Sequence, residues 1–166
     1  KNKVFILMSG TIHSESVLKN IFGLKEFKII DAEIAHQGEL IKCKHGYEMN
    51  CSYASMNTTP NARENYLKGL SKTIACSKNP TLIHVTAFAD LPTEAEKSQF
   101  NINNLPTKNE LIQEQINDPL SKRINDFKQK KIKVLFTTKC NRGADFPGDI
   151  CNSIIITRFP YPNISN

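Results

Sequence analysis

The chain contains no tryptophan, and aromatic residues make up only 8% of it, so its interior has to be filled mainly by aliphatic side chains rather than large rings. No run approaches the roughly 20 apolar residues of a membrane-spanning helix, and the start carries neither the charged nor the apolar region of a signal peptide. We therefore expect no membrane association and a cytoplasmic location, or a nuclear one if the source is eukaryotic. The five cysteines, Cys43, Cys51, Cys76, Cys140 and Cys151, are odd in number and include no C-x-x-C pair, which specifies neither a disulfide framework nor a zinc site. No G-x-x-x-x-G-K-[ST] phosphate loop is present. Gly69-Leu-Ser-Lys-Thr73 ends in a similar way, but it lacks the glycine before the lysine and lies inside a helical pattern. No D-E-x-H run could hold magnesium and activate water, and no Ser/His/Asp order supports acyl transfer. His13, His36 and His45 lack metal-like spacing, and His84 sits in an apolar strand pattern, where a satisfied core histidine is expected.

What is there is ordinary globular material. The 166 residues are 39% hydrophobic and 23% charged, enough for one compact domain over residues 1–166. Lys1-Asn2-Lys3 leads directly into the apolar run Val4 to Met8, as though the chain opens inside a structural element, so a piece of a longer protein is expected. The net charge of +6 favours an anionic partner without choosing among nucleic acid, nucleotide and membrane surface. Part of the excess is local: Lys128, Lys130, Lys131 and Lys133, followed by Lys139 and Arg142, crowd the end of a helical pattern, where cations suit the negative end of the macrodipole.

Four runs rich in β-branched and aromatic residues, Val4 to Met8, Thr81 to Phe88, Ile132 to Thr138 and Ser153 to Phe159, have strand length. They are apolar on both parities, as strands covered on both faces require. Phe27 to Ile34 is a weaker fifth candidate. Helical patterns lie between them, so the order is a repeated βα, the mark of an α/β fold with a mostly parallel central sheet. Asn61 with Glu64, Thr93 with Glu96, and Thr107 with Glu110 fit capping boxes. Asp118-Pro119 fits an N-cap followed by proline at the first helical position, with Leu120, Ile124 and Phe127 on one face. A helix from about Ser14 to Leu24 puts Val17, Leu18, Ile21 and Phe22 on one stripe, with Gly23 near its end. The polar segment from Cys43 to Thr59 has no clean period and is expected to be a surface connection.

The most informative stretch is Val134-Leu-Phe-Thr-Thr-Lys-Cys-Asn-Arg-Gly-Ala-Asp-Phe-Pro-Gly-Asp149. A buried strand runs into a loop of hydroxyl, basic, glycine and aspartate residues, and the carboxyl end of a strand is where open α/β sheets bind ligands. Small hydroxyl residues and backbone N–H groups suit phosphate oxygens, Gly143 allows close approach, and Asp145 can accept from a sugar hydroxyl or position a cation.

This stretch, from Thr137 through Asp149 and on through Ile154-Ile-Ile-Thr-Arg-Phe-Pro-Tyr-Pro-Asn163, resembles motif V and the strand after it in superfamily 2 helicases of the XPD/DinG family. Ile6 to Ile12, with Ser9-Gly10-Thr11, resembles the motif that couples the family's two motor domains, and Thr81 to Phe88 resembles the strand of motif IV. All three occur in the family's order and span nearly the whole chain. The resemblance implies a RecA-like three-layer fold, the second motor domain of an ATP-dependent DNA helicase that translocates on single-stranded DNA and unwinds duplexes in DNA repair. It implies that Thr137, Thr138, Lys139 and Thr86 meet the DNA strand, that Gly143 and Asp145, with Arg142 beside them, face nucleotide, and that Ser9, Gly10 and Thr11 relay nucleotide state. Where many relatives have glutamate before the glycine, this chain has Arg142, as some archaeal members do. ATP and magnesium would be bound mainly by the first motor domain, expected in the same polypeptide. An iron–sulfur cluster, where the parent has one, would belong to that domain too. The family's Q-x-x-G-R-x-x-R segment does not occur before Asn166, so no catalytic residue is expected here and the chain alone should not hydrolyse ATP. Residues alone leave one alternative open, a nucleic-acid- or nucleotide-binding α/β module without motor function.

Overall fold

The structure is a computed structural model that describes residues 6, 14–30, 46, 48–140 and 144–159. The chain divides into two compact units, Lys1–Lys42 and Cys43–Asn166.

In the first unit, α1 spans Glu15–Asn20 and carries one ion pair, Lys19 Nζ to Glu15 Oε2 at 3.1 Å. The helix is shorter than the apolar stripe suggested, and none of its residues is buried. Gly23, at φ +66°, stands just beyond it in the left-handed region that glycine adopts without steric cost. Residues 27–30 of the weak fifth strand form no regular element, and the run Val4 to Met8, apart from Ile6, lies outside the described residues.

The second unit contains α2 (Tyr53–Thr58), α3 (Ala62–Ala75), β1 (Thr81–His84), α4 (Glu94–Phe100), α5 (Lys108–Asn117), α6 (Lys122–Lys128), β2 (Val134–Thr137) and β3 (Ser153–Ile156), with short 3-10 turns at Phe88–Asp90 and Gly148–Ile150. The sheet order is β2-β1-β3, and both pairings are parallel. Leu82 stands opposite Leu135 and Ile154, and His84 opposite Thr137 and Ile156. The fold is therefore α/β with a parallel sheet, consistent with a RecA-like domain.

Residues paired in register share a face, so the sheet has two dissimilar sides. Ile83, with Val85 just past the strand, packs with Tyr66, Leu67, Leu70, Leu91, Ile102, Leu105 and Leu111, and Val134, Phe136 and Ile155 lie against that cluster. The opposite face holds a smaller core, Leu82, Leu135 and Phe127, flanked by Ile124, Ile132, Cys140, Phe146 and Cys151. The expected cover on both faces holds for β1 and β2 but not for β3, whose Ile154 and Ile156 are 63% and 53% exposed. Among the described residues β3 is an edge strand, while α6 packs on β2. All three strands are shorter than the apolar runs that announced them.

Helix starts follow the local rules in part. Thr93 with Glu96 and Thr107 with Glu110 form complete capping boxes. Asn61 does begin α3, but at φ +56° its side chain makes no cap, and Glu64 pairs instead with Lys68 at 2.6 Å. For α6 the N-cap is Ser121 rather than Asp118. Asp118 still serves the helix, accepting from the backbone N–H groups of Lys122 (2.6 Å) and Arg123 (2.9 Å). The displaced start leaves Leu120 exposed, whereas Ile124 and Phe127 enter the core as expected. The Cys43 to Thr59 segment is more structured than its polarity suggested, because it includes α2 and lays Met49, Cys51 and Met56 against the larger core. Gly69 to Thr73 lies within α3.

Candidate nucleic-acid interface at the carboxyl edge of the sheet

Parallel pairing sends all three strands out of the same edge. The ladder extends one step past the strands, with Val85 N–H donating to Thr137 O at 2.9 Å and Thr157 N–H to His84 O at 3.1 Å. The segments after β1, β2 and β3 thus emerge side by side, bringing Thr86, Thr138, Lys139 and Arg158 to one edge.

Their hydroxyl groups are already engaged. Thr137 is buried, and its Oγ1 accepts from Lys139 N–H at 3.0 Å. Thr138 donates to Gln115 Oε1 at 2.8 Å, and Thr86 donates to Arg158 O at 2.9 Å. The exposed Lys139 places its ammonium 3.2 Å from Asp118 O, which uses one of its three donors. A shallow crevice beside this loop is lined by Gln115, Asp118, Arg123, Thr137 and Lys139.

Between the ends of β1 and β3 lies a polar knot that sequence reasoning missed. Asp90 is 2% exposed. Its Oδ2 accepts from Thr157 Oγ1 at 2.6 Å and from Ala87 N–H at 3.1 Å, and its Oδ1 lies 2.5 Å from an Arg158 guanidinium nitrogen. Thr157 Oγ1 also accepts from Thr86 N–H at 2.9 Å, and Thr157 O accepts from Tyr66 Oη at 3.1 Å. A buried carboxylate is tolerable only when paired and hydrogen-bonded, and Asp90 is both. A lone aspartate after a strand carries no local mark of this role; its partners Thr157 and Arg158 lie within the run that resembles the family, but nothing in their spacing ties them to Asp90.

Asp145 is exposed and makes no hydrogen bond or ion pair with a described residue. Ser9, Gly10, Thr11, Arg142 and Gly143 lie outside the described residues. His84 is half-buried with a buried Nδ1 that lacks a hydrogen-bond partner, so the expected satisfied core histidine is not found. Phe159, the last residue of the apolar run that predicted this strand, is exposed, since β3 ends three residues before it. Tyr161 is outside the described residues.

The lysine cluster lies elsewhere. Lys130, Lys131 and Lys133 precede β2 and so sit at the sheet's amino end. Lys128 covers the Phe146 ring at 5.4 Å, Lys130 pairs with Asp149 at 2.6 Å, and Lys131 reaches Asp126 at 3.6 Å. Local partners thus absorb much of that charge. Among the described residues no group of three His, Cys, Asp or Glu could hold a metal ion, and no helix is long and apolar enough to cross a membrane.

Comparison with curated proteins and with solved structures gives no match. Residues 70–166 match the model of a family described as the helicase C-terminal domain, which supports a DinG/XPD-type motor domain. The matched segment covers more than half of the 166 residues and contains all three strands and the loops at their carboxyl edge, and the chain belongs to the helicase C-terminal domain family.

Proposed function

We propose that this chain is the second motor half of an ATP-dependent DNA helicase, of an archaeal-like XPD/DinG type, which translocates on single-stranded DNA and unwinds duplexes in DNA repair. The observation that carries the reading is the convergence of Thr86, Thr137 to Lys139 and Arg158 on one sheet edge.

In this reading Thr137 and Thr138 shape the loop, through the bonds to Lys139 N–H and Gln115, and Lys139 offers its remaining donors to phosphate oxygens. The exposed carboxylate of Asp145, without a bond to a described residue, suits a nucleotide sugar hydroxyl. ATP would supply the energy through phosphoryl transfer, a reaction catalysed mainly by positioning and electrostatic stabilisation. In this reading magnesium and the triphosphate would be bound mainly by a first motor domain. An iron–sulfur cluster, where the parent has one, falls there too. Dividing the groups between two bodies makes hydrolysis depend on their closure.

The test compares this chain with the full-length protein. The chain alone should show no ATP turnover above buffer, and should bind single-stranded DNA weakly with a steep salt dependence, because a few cationic contacts release a few counterions. The full-length protein should hydrolyse ATP when single-stranded DNA is added. DNA binding without any DNA-stimulated turnover in the full-length protein would instead favour the non-motor binding module.

A further inference from the structure

We propose that Arg158 is a DNA-phosphate contact held in place by the buried carboxylate of Asp90. This rests on the reading of the carboxyl edge as the DNA-facing surface and names a residue for it.

Two features point to this role. The Arg158 side chain is 36% exposed, and among the described residues its guanidinium has a single partner, Asp90 Oδ1 at 2.5 Å. A guanidinium carries five N–H donors in a planar fork that matches carboxylate and phosphate geometry. Holding one nitrogen on Asp90 fixes the plane and leaves the other donors for a second anion. At the neighbouring positions the hydroxyls of Thr86 and Thr138 donate inward, to Arg158 O and Gln115. The donors left for phosphate at this edge are therefore cationic, on Lys139 and Arg158.

The position is also rigid. Thr86 fastens the Arg158 carbonyl at 2.9 Å, and Thr157, one residue earlier, is held by Asp90, His84, Thr86 and Tyr66. Asp90 itself is too buried to touch DNA and acts as a positioning residue. It orients the guanidinium before DNA arrives, so less side-chain freedom is lost on binding than for a free arginine.

Arg158→Gln alone would leave Asp90 buried without its cation, so the informative variant is the neutral pair Asp90→Asn with Arg158→Gln. Affinity of the 166-residue chain for a fluorescent oligothymidine is measured from 50 to 200 mM salt, with circular dichroism confirming the fold. One phosphate contact on a single strand contributes roughly 0.7 to the slope of log K against log salt. The double variant should lose about that much slope, so that its affinity falls roughly 2.6-fold less than the wild type's across the fourfold salt range. Asp90→Asn alone keeps the cation and should retain the wild-type slope. A folded double variant with wild-type slope and affinity overturns the assignment of Arg158 while leaving the interface in place. A wild-type chain that fails to bind oligothymidine even at 50 mM salt overturns both.

Discussion

The Tyr66 hydroxyl donates to the carbonyl oxygen of Thr157 across 3.1 Å, joining α3 to the end of β3 over 91 residues of chain. Burial is the largest cause of a rise of the phenol well above its ordinary range, and the nearby Asp90 carboxylate adds to it. Tyr66→Phe should leave the Thr157 carbonyl without this donor and cost about 1 kcal/mol, or roughly 2–4 °C in Tm for a chain of this size. A group whose pKa is raised on folding contributes stability that is present below its unfolded value and lost as pH rises through the folded one. The stability difference between wild type and Tyr66→Phe should accordingly shrink above about pH 10. Thermal melts of the two proteins from pH 7 to 11 check this, and a constant difference would show that Tyr66 titrates as it does in the unfolded chain.

An acid-sensitive clamp lies at the start of α3. Arg63 grips Glu96 through Nε at 2.8 Å and Nη2 at 3.2 Å, while its other hydrogen bonds reach the carbonyls of Ala89 and Leu91. The bond from Arg63 is the main reason the Glu96 carboxyl sits at about 2, and Thr93 assists through the capping box. The pKa is lowered on folding, so the stabilisation is present above the ordinary glutamate value of about 4.3 and lost as pH falls towards 2. Glu96→Gln should flatten the stability curve between those limits. Urea melts at pH 2.5, 3.5, 4.5 and 6 measure it; parallel curves for the two proteins would remove Glu96 from the acid response.

Local physics was the legible part of this fold. Thr93 and Thr107 each have a glutamate three residues on, and the backbone entering each helix is extended, as a capping box needs, so both boxes form. Asn61 has the same spacing, but its backbone is left-handed and its side chain does not cap. The βα alternation fixed the parallel order of the described strands. Apolar composition could not say where each strand stops, since Val85, Leu91 and Phe159 are as hydrophobic as strand residues yet stand in turns and loops. Nor could it tell that β3 is covered on one face only, because cover is decided by where α6 lies.

The candidate interface was half legible for a related reason. A hydroxyl-rich loop after an apolar run signals a strand's carboxyl end wherever the strand happens to sit, which located Thr137, Thr138 and Lys139. Asp90 and Thr157 are 67 residues apart, and only the meeting of β1 and β3 makes one the partner of the other. The direction in which Thr86 and Thr138 donate likewise depends on Arg158 and Gln115, which no spacing rule connects to them.

The nucleotide-facing reading of Asp145 can be separated from a structural one. An aspartate in a loop commonly satisfies nearby backbone N–H groups, and its loss then lowers stability by about 1 kcal/mol. Asp145 is exposed and has no such bond with a described residue, so Asp145→Ala should leave Tm within about 1 °C, in line with surface substitutions of small effect. If the proposed motor function holds and its carboxylate helps to form the site between two motor domains, the same substitution in the full-length protein should lower DNA-stimulated ATP turnover about tenfold, equivalent to roughly 1.4 kcal/mol of transition-state stabilisation. DNA affinity without nucleotide should not change, because Asp145 would act on nucleotide rather than on the strand. Measuring Tm, kcat and DNA affinity on one preparation gives each reading its own signature. A lowered Tm with normal kcat per folded molecule would make Asp145 a loop former, and a weakened DNA affinity with normal kcat would move it to the strand-facing surface with Lys139.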